Sequence, residues 1–500
     1  MSTQQPNFVF IMTDTQGANM VGCYGRPELR TTRLDQLAAE GIRFSRAYTS
    51  QPVCTAARAG IFTGCYPHAT GAWGNHLALG DTMKTMGQRF QSAGYNTAYT
   101  GKWHLSGHDY FDTGICPDGW DPEYWFDGRC YINELTDEET LLWRSNFGGY
   151  EGLKKHGVTA EFTWGHRASN RGIDFLKKQQ NVDKPFVLVV SYDEPHGPAT
   201  CPPEYIEPFR DYEHDVGPNA FDDLTNKPDH HREWAAACPA RVPSGKCTIP
   251  QYFGCNSFID NEIGRVINAV KEYTPENTWI IYTSDHGEPF CSHGMSTKGP
   301  NMYEEITHIP LIIRKPDGAD RGQVDNALVS HLDLLPGMLE LAGLDVPPFL
   351  DGRSIAPRLT SQDDGVEREI MIEFNRYEVD HDFTGFQPIR CWMSGDYKLV
   401  INLLSDKDEL YNLKDDSAEM DNLIDNPAYT EIRNRMHAAL LDKIYDCRDP
   451  FRSPQWERRP WCNTRRFGWT GKFRPRPVDG FAPDILDYRT GKSNTGIREN

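Results

Sequence analysis

The apolar positions of roughly the first 345 residues fall into two kinds of segment. Short apolar runs that end in polar residues predict buried strands, and they lie at residues 7–14, 96–100, 185–192, 278–284 and 309–314. Apolar positions at helical spacing predict helices at residues 34–40, 56–63, 164–180, 252–273 and 332–344, the last one interrupted near Pro336. Strands that alternate with helices are typical of an α/β domain, so we predict a large, mostly parallel central sheet flanked by helices.

The pattern changes near residue 346, where the stretch VPPFLDGRSIAPRL is rich in proline and turn-forming residues. Short apolar runs follow at residues 370–374, 389–393 and 397–403, and the Ser-Gly-Asp turn between the last two predicts a hairpin. A further helix is predicted at residues 428–445. We therefore expect a smaller C-terminal α+β subdomain in which a helix packs on an antiparallel sheet.

These changes predict three parts: an N-terminal α/β domain at residues 1–365, the α+β subdomain at residues 366–447, and a basic, aromatic extension at residues 448–500. The proline and glycine residues of the extension argue against one long helix. The favoured interpretation is an ordered tail that wraps its own domain or a partner subunit. The alternative is that some of its arginine and tryptophan side chains reach the active site.

Composition and charge narrow the classes of function. The 500-residue chain carries a formal net charge of −19, which argues against nucleic-acid binding because that requires a basic surface. The apolar run at residues 8–12 is too short for a signal peptide, and no apolar stretch reaches the length of about 18 residues that a membrane span needs. We therefore expect a cytoplasmic protein without nucleic-acid or membrane partners, and a homo-oligomer is compatible with the sequence. The 13 cysteines are expected to be mostly reduced and buried.

The strongest local signal is the segment PVCTAARAG, which begins at Pro52. Cys54 lies where a helix is predicted to start, and helix N-termini favour anions. Arg58 follows one helical turn later on the same face, where it could hold an oxyanion or fix the residue at position 54. A small buried cysteine beside a surface arginine explains these residues equally well.

The segment CTAAR matches the C-x-[P/A]-x-R pattern of the type I sulfatases, in which the cysteine is oxidised to formylglycine (3-oxoalanine). The family usually has Pro-Ser where this chain has Ala56-Ala57. Further segments resemble the family in the expected order: NFVFIMTDTQG, TGKWH, YDEPHGP, SDHGE, TKGPNMYEE, SHLDLLPGMLELAG and DELYNLKDDSAEMDNL. The resemblance covers nearly the whole chain up to about residue 445. It implies an alkaline-phosphatase-like fold and a sulfatase that hydrolyses a sulfate monoester.

The resemblance also implies a divalent metal site formed by Asp14, Cys54, Asp285 and His286. Two carboxylates and an imidazole at strand ends suit a divalent cation. Many family members carry a second acidic residue where Thr15 stands, and Asp-Asn where this chain has Asp285-His286. The Asp-His pair resembles choline sulfatases and phosphonate monoester hydrolases of the same superfamily. Ca²⁺ is the expected metal, and Mn²⁺ is its rival because the histidine adds a nitrogen ligand.

Five more residues match catalytic positions of the family: Arg58, Lys102, His104, His196 and Lys298. The implied nucleophile is the hydrated aldehyde at position 54, which attacks sulfur while cations offset the charge on the transferring group. Lys102, His196 and Lys298 are the implied substrate-binding residues, and His196 or Lys298 protonates the leaving oxygen. His104 then takes the proton from the second hydroxyl, so that the aldehyde reforms and sulfate leaves.

Four other residues are weaker candidates for substrate contacts: His108, His293, Arg376 and His381. The expected substrate is a sulfated carbohydrate or small metabolite, and the aromatic segment Tyr124-Trp125-Phe126 either stacks on sugar rings or packs in the core. The expected maturation partner is a formylglycine-generating or anaerobic sulfatase-maturating enzyme. A phosphonate monoester or phosphodiester hydrolase on the same scaffold is the alternative function. A silent binding protein with an unconverted Cys54 is the third interpretation.

Overall fold

A computed structural model describes residues 5–81, 83–274, 277–316, 318, 321–360, 367–378 and 385–462, and the backbone of 485–487 and 492–494. The strands are β1 (Asn7–Thr13), β2 (Ile42–Tyr48), β3 (Asn96–Gly101), β4 (Phe186–Ser191), β5 (His214–Asp215), β6 (Lys246–Cys247), β7 (Thr278–Ser284), β8 (His308–Arg314), β9 (Gln323–Ser330), β10 (Glu369–Phe374), β11 (Ile389–Ser394), β12 (Tyr397–Asn402), β13 (Glu409–Asn412), β14 (Ile485–Asp487) and β15 (Lys492–Asn494).

The α-helices of the described residues lie between these strands, some singly and some in groups. They are α1 (Thr32–Glu40), α2 (Cys54–Thr63), α3 (Pro67–Thr70), α4 (Met86–Ser92), α5 (Gly128–Asn133), α6 (Asp137–Arg144), α7 (Tyr150–Lys155), α8 (Trp164–Gln179), α9 (Pro203–Ile206), α10 (Asp229–Ala237), α11 (Pro250–Tyr273), α12 (Glu304–Thr307), α13 (Leu334–Leu341), α14 (Ala356–Leu359) and α15 (Thr430–Asp446).

Seven strands form the central sheet in the order β3-β4-β1-β7-β8-β2-β9. The pairs β3–β4, β4–β1, β1–β7 and β2–β9 are parallel, and only β8 runs antiparallel to both of its neighbours. The predicted fold class, a mostly parallel sheet flanked by helices, is confirmed. The sequence pattern did not predict β2, which has polar residues inside it, or β9, whose first half is largely exposed. Neither strand has the continuous apolar run that marks a central strand.

The two faces of the sheet pack into separate cores because alternate side chains of a strand point to opposite faces. In β1, Phe8, Phe10 and Met12 join a core that includes residues of α2, α4 and α13. Val9 and Ile11 face the other way and join residues of α1, α8 and α11. The strand is therefore apolar throughout, and the polar residues that follow it emerge at one edge of the sheet.

The predicted interruption of a helix near Pro336 is wrong. A short 3-10 turn at His331–Asp333 precedes α13, and Pro336 is the third residue of that helix. The N–H groups of the first helical turn have no partner within the helix, so a proline in this turn removes no hydrogen bond. The helix therefore begins before Pro336 and continues through it.

The C-terminal part of the chain forms a four-stranded antiparallel sheet in the order β10-β11-β12-β13. The predicted hairpin is present, because Ser394 pairs with Tyr397 across the two-residue loop Gly395-Asp396. One face of this sheet packs against α15, and the other face packs against β2 and the start of α2. The sheet thus packs against the helix that begins at Cys54.

The described part of the C-terminal extension, up to residue 462, packs on its own subdomain. Trp456 is buried in the core under α15, and Arg390 donates from Nε to Asp449 Oδ2 at 2.6 Å. Of the two interpretations, this part follows the wrapping tail, and most of residues 463–500 lie outside the described residues. Among the described residues, no helix combines the length and the apolar character that crossing a bilayer requires.

Candidate active site

The polar residues that follow four strands converge at the carboxyl-terminal edge of the central sheet. Asp14 follows β1, Lys102 follows β3, and Asp285 and His286 follow β7, while Cys54 opens α2 shortly after β2. The carboxyl ends of parallel strands lie at one edge of a sheet, where ligands of open α/β folds bind. This edge therefore assembles groups that are up to 272 residues apart in sequence, as Asp14 and His286 are.

Four of these side chains form a compact buried cluster: Asp14, Cys54, Asp285 and His286. Each offers a ligand atom, and these atoms all lie within 4.8 Å of one another. Cys54 Sγ lies 3.1 Å from His286 Nε2 and 3.6 Å from Asp14 Oδ1. Because formylglycine would replace the thiol, this sulfur marks the place where the aldehyde oxygen would stand.

His286 is held in the orientation that a ligand needs. Its Nδ1 lies 2.9 Å from the Gly287 carbonyl oxygen, to which it donates. That bond leaves Nε2 with a free lone pair, and Nε2 is the atom that faces Cys54. Burial, together with the charge of Lys298, holds the pKa of His286 well below its usual range. The ring is therefore neutral, as a metal ligand must be.

Arg58 ties the two carboxylates together. Nε lies 3.2 Å from Asp285 Oδ2, and Nη2 lies 3.1 Å from Asp14 Oδ2 and from Asp285 Oδ2. Nη1 donates to the Lys102 carbonyl oxygen at 2.7 Å and to Ser191 Oγ at 2.8 Å. The five N–H groups of the guanidinium thus all face acceptors. The arginine fixes the two carboxylates and has no donor left for an oxyanion.

The two carboxylates differ in their electrostatic environment. Burial by itself would raise the pKa of Asp14, but Lys102, His196 and Arg58 hold it well below its usual range. Burial and the neighbouring Asp14 raise the pKa of Asp285 to about 8. Two buried carboxylates with oxygens within 4.8 Å of each other repel, and a bound divalent cation would relieve that repulsion. The donor set of two carboxylates and a neutral imidazole fits a divalent metal.

Thr15 shapes the turn that carries the first carboxylate. Its φ angle is +65°, a left-handed conformation that is costly for a β-branched residue. In this conformation the Thr15 N–H donates to Asp285 Oδ1 at 3.2 Å, and the hydroxyl donates to Asp14 Oδ1 at 2.7 Å. The threonine at the position of the usual second acid therefore links the two remaining carboxylates.

The Lys102 ammonium is also in contact with several protein groups. Its ammonium lies 2.7 Å from Asp14 Oδ2, 3.1 Å from Asp193 Oδ1 and 3.9 Å from the centre of the Tyr110 ring. The Tyr110 hydroxyl donates to Asp193 Oδ1 and lies 3.0 Å from His196 Nδ1. One tyrosine therefore contacts Lys102, Asp193 and His196.

The remaining predicted catalytic groups surround this cluster with different charges. Burial together with Lys102 holds the pKa of His104 well below its usual range, and neither of its buried ring nitrogens has a hydrogen-bond partner among the described residues. Burial, Lys102 and Lys298 lower the pKa of His196 to about 3. Burial would lower the pKa of Lys298, but Cys54, Tyr377 and Glu288 raise it well above its usual range. At neutral pH both histidines are neutral and the lysine is charged.

Lys298 is the least engaged cation of the site. Among the described residues Lys298 forms an ion pair with Glu288, and the distance from Lys298 Nζ to Glu288 Oε2 is long, 3.9 Å. Its backbone N–H donates to Glu288 Oε1, which anchors the loop. The ammonium therefore remains available to an anionic ligand at position 54.

The weaker candidates have other environments. His293 donates from Nδ1 to Asp222 Oδ2 at 2.7 Å and stacks on Tyr303 at 3.5 Å, so it is a buried structural residue. The His108 ring lies 3.5 Å from Asp109 and is mostly exposed, and Arg376 donates to a backbone carbonyl oxygen. Of the two alternatives for the aromatic segment, Trp125 and Phe126 follow core packing. His381 lies outside the described residues, so its role stays a prediction.

Two features of the site were not predicted from the sequence, Tyr110 and the role of Thr15. Asp193 lies within the quoted segment YDEPHGP, but its contact with Lys102 was not predicted. Tyr110 lies in a loop eight residues after Lys102, and no spacing or motif distinguishes it from the other tyrosines. Asp193 and His196 follow β4, and Lys102 follows the neighbouring strand β3, so the order of strands in the sheet brings these groups together.

Comparisons with known proteins agree with this geometry. The family model described as "Sulfatase" matches residues 6–344, and the model "N-sulphoglucosamine sulphohydrolase, C-terminal" matches residues 292–446. "Uncharacterized sulfatase YidJ" of Escherichia coli (strain K12) is 52% identical over 497 residues, which cover 99% of this chain and 98% of that relative. An N-acetylglucosamine-6-O-sulfatase of Bacteroides thetaiotaomicron is 26% identical and covers 90% of this chain and 88% of its own length. A solved structure in complex with its substrate D-glucosamine-2-N,6-O-disulfate has a TM-score of 0.70 at 22% identity, covering 90% of this chain and 99% of that chain.

Proposed function

The chain belongs to the sulfatase family, and on this premise we propose that it hydrolyses a sulfate monoester at residue 54 after oxidation of Cys54 to formylglycine. The observation that carries this proposal is the buried cluster of Asp14, Asp285 and His286 around Cys54 Sγ. The encoded thiol is itself a poor nucleophile, because burial and the neighbouring Asp14 raise its pKa to about 12. An unmodified cysteine here would be protonated at neutral pH.

The metal proposed for this cluster is divalent, with Ca²⁺ favoured and Mn²⁺ as the rival. Asp14, Asp285, His286 and the modified residue 54 would hold it. When bound, such a cation stabilises negative charge on oxygen and makes a hydroxyl at residue 54 more acidic. Arg58 keeps both carboxylates in place through the N–H groups of its Nε and Nη2.

The proposed roles of the other residues follow from their charges and contacts. Lys298 binds the sulfate oxygens, because its ammonium has the weakest ion pairing in the site. Lys102 is fixed by Asp14 and Asp193 and adds positive charge beside residue 54. His104, neutral and without a bonded ring nitrogen among the described residues, is the proposed base for the hydroxyl of residue 54 in the second step.

The acid for the leaving oxygen is proposed to be His196 or Lys298. His196 donates from Nδ1 to the Gly197 carbonyl oxygen at 2.8 Å, so its Nε2 is the atom left for proton exchange. Burial and the charges of Lys102 and Lys298 lower its pKa to about 3, and the negative charge of a bound sulfate ester would raise it. Lys298 carries a proton at neutral pH without such help.

The proposed substrate class is a sulfated carbohydrate. Support comes from the relative named N-acetylglucosamine-6-O-sulfatase and from the solved structure in complex with D-glucosamine-2-N,6-O-disulfate. The proposed maturation partner is a formylglycine-generating or anaerobic sulfatase-maturating enzyme, since the modification of Cys54 requires an oxidising enzyme.

The decisive experiment combines mass spectrometry with turnover. The peptide that contains position 54 should carry the aldehyde or its hydrate, and desulfation of 4-nitrophenyl sulfate or a hexose sulfate should scale with the modified fraction. Cys54→Ala should abolish turnover while the circular dichroism spectrum stays unchanged. Full activity of Cys54→Ala, or of a sample with no modification, would refute the proposal.

A phosphonate monoester or phosphodiester hydrolase remains the second candidate, because this chain has the Asp285-His286 pair. Parallel kcat/KM measurements on a sulfate monoester and on a phosphodiester with the same leaving group distinguish the two. A higher kcat/KM for the phosphodiester would favour the second candidate.

A further inference from the structure

A cleft of about 410 Å³ lies beside the loop that carries Lys298. Its walls include four aromatic side chains, together with Gln387 and Pro300; the aromatic residues are Trp234, Phe374, Tyr377 and Phe386. This volume is within the usual range of small-molecule sites, roughly 300–1,000 Å³. None of the metal cluster residues lines it, so it is a separate compartment next to the reaction centre.

Two walls of this cleft connect directly to the catalytic groups. Trp234 donates from Nε1 to the Thr297 carbonyl oxygen at 3.1 Å, and its indole packs so closely on Gly299 that an added Cβ would lie 2.2 Å from the ring. Trp234 therefore supports the backbone on both sides of Lys298. Tyr377 packs against it edge-on, with ring centres 5.6 Å apart.

Tyr377 also connects the cleft with residue 54. The Tyr377 carbonyl oxygen accepts from the Asn75 N–H at 2.9 Å, and Asn75 Oδ1 accepts from the Thr55 N–H at 3.2 Å. Two successive hydrogen bonds therefore join the cleft wall to the first turn of α2. A ligand in the cleft would lie beside a sulfate held at residue 54 and Lys298.

The polar groups of the cleft do not match an anion. Glu233 is exposed at its rim, and the described residues that line the cleft include no lysine or arginine. His230 is neutral, since burial and His231 lower its pKa to about 3. Its nitrogens face Ser405 Oγ at 3.1 Å and the Pro300 carbonyl oxygen at 2.7 Å. A second sulfate or a carboxylate in this cleft would meet a carboxylate and no cation.

The side chain of Gln387, which lines the cleft, has a donor without a partner among the described residues. Gln387 Nε2 is buried, and the described residues provide no acceptor for it. A buried unpaired amide N–H costs free energy unless a ligand or water satisfies it. Aromatic faces beside such a donor are suited to a hydroxylated ring, whose C–H face packs on the aromatic groups and whose hydroxyl accepts the hydrogen bond.

We infer that this cleft is the leaving-group site and that it takes an uncharged hydroxylated ring, so that the preferred substrate is a neutral sugar with a single sulfate. The inference rests on the proposed sulfatase function. It departs from the disulfated ligand of the structural neighbour, since a second anionic group would lie in a compartment without a cation.

The test uses the full-length, formylglycine-containing enzyme and a panel of hexose monosulfates that differ in the position of the ester. The best monosulfate is then compared with its analogue that carries one further sulfate. The expected kcat/KM is at least about tenfold higher for the monosulfate, since an unpaired charge near a carboxylate costs more than a neutral hydroxyl. A higher kcat/KM for the disulfate would overturn the inference.

Three variants locate the effect in the cleft. Phe386→Ala and Gln387→Leu should each raise KM for the hexose monosulfate roughly fivefold to tenfold and leave turnover of the small ester methyl sulfate unchanged. Phe221→Ala is the matched control, because Phe221 is another exposed phenylalanine that does not line the cleft. Glu233→Lys should raise kcat/KM for the disulfate, so that the kcat/KM values of the monosulfate and the disulfate become more similar.

The outcomes separate this inference from the function on which it rests. If no sulfate ester is hydrolysed by modified enzyme, the sulfatase proposal itself fails. If sulfate esters are hydrolysed but Phe386→Ala, Gln387→Leu and Glu233→Lys behave as Phe221→Ala does, the leaving-group site is elsewhere and only the inference fails.

Discussion

The ammonium of Lys102 lies 3.9 Å from the centre of the Tyr110 ring, and the hydroxyl of the same tyrosine lies 3.0 Å from His196 Nδ1. Tyr110 also donates to Asp193, which is the second carboxylate beside Lys102. A single side chain thus sets the positions of a lysine and a histidine that approach from different strands. We therefore expect Tyr110 to act as a positioning residue rather than a catalytic one.

Tyr110→Phe should keep the ring over Lys102 and lose the hydrogen bonds to Asp193 and His196. A hydrogen bond to a charged group such as the Asp193 carboxylate contributes about 1.5–3 kcal/mol, so kcat/KM is expected to fall roughly tenfold to a hundredfold. Tyr110→Leu also removes the cation–π contact, which contributes about 1–2 kcal/mol when desolvated, and should lower kcat/KM further. Steady-state kinetics and the pH dependence of kcat/KM measure both effects. An unchanged pH profile in Tyr110→Phe would argue that the hydroxyl has only a structural role.

The identity of the leaving-group acid is testable with substrates of different leaving ability. A 4-nitrophenolate departs without protonation, whereas a sugar alkoxide needs a proton. His196→Gln should therefore reduce kcat about a hundredfold for a sugar sulfate and much less for 4-nitrophenyl sulfate. Lys298→Met should impair both substrates if the lysine binds the sulfate oxygens. Equal losses on both substrates for His196→Gln would exclude the histidine as the acid.

Removal of the metal should abolish activity and leave the protein folded. Arg58 and Lys102 pair with the two carboxylates of the cluster, so the site keeps compensating charges when the cation is gone. A ligand at 100 times its Kd stabilises the folded state by about 2.7 kcal/mol, and chelation should lower Tm correspondingly. Activity after addition of Ca²⁺ or Mn²⁺ would identify the metal. Full activity in the chelated enzyme would contradict the proposed site.

A second buried pair makes stability depend on pH. His68 Nδ1 lies 2.5 Å from Glu373 Oε2, and both side chains are buried between α3 and the C-terminal sheet. Burial alone would lower the pKa of His68, but Glu373 raises it well above the usual value for histidine. Because the pKa of His68 is higher in the folded state than in the unfolded state, the pair stabilises the folded protein. This stabilisation is complete below the pKa that His68 has in the unfolded chain, and it is lost as pH rises through the pKa that His68 has in the folded protein.

The variant His68→Gln removes the titrating group and keeps a donor for Glu373. The difference in Tm between wild type and this variant should be largest below about pH 6.5, the pKa of a free histidine, and should decrease at higher pH. Breaking a buried pair costs about 3–5 kcal/mol, so the difference should be several degrees at its maximum. Thermal scans from pH 5.5 to pH 9 measure it. A difference that does not change with pH would show that His68 is neutral in the folded protein.

The sequence by itself determined the fold class, and it predicted the four residues Asp14, Cys54, Asp285 and His286 that the structure brings together in one buried cluster. Continuous apolar runs such as the one before Asp14 indicate strands buried on both faces, and the polar residues after them mark the binding edge of a parallel sheet. The order of motifs around Cys54 placed the remaining groups along the chain. The apolar runs and the individual motifs are local signals, because each consists of neighbouring residues in the sequence.

Only the tertiary structure decided which side chains touch. The antiparallel course of β8, the five contacts of Arg58 and the position of Tyr110 between Lys102 and His196 depend on strand order and loop paths. The same is true of the cleft, whose walls come from α10 and from the segment around Tyr377, more than 130 residues apart. Contacts across such separations are set by the packing of whole elements, so no spacing along the chain can predict them.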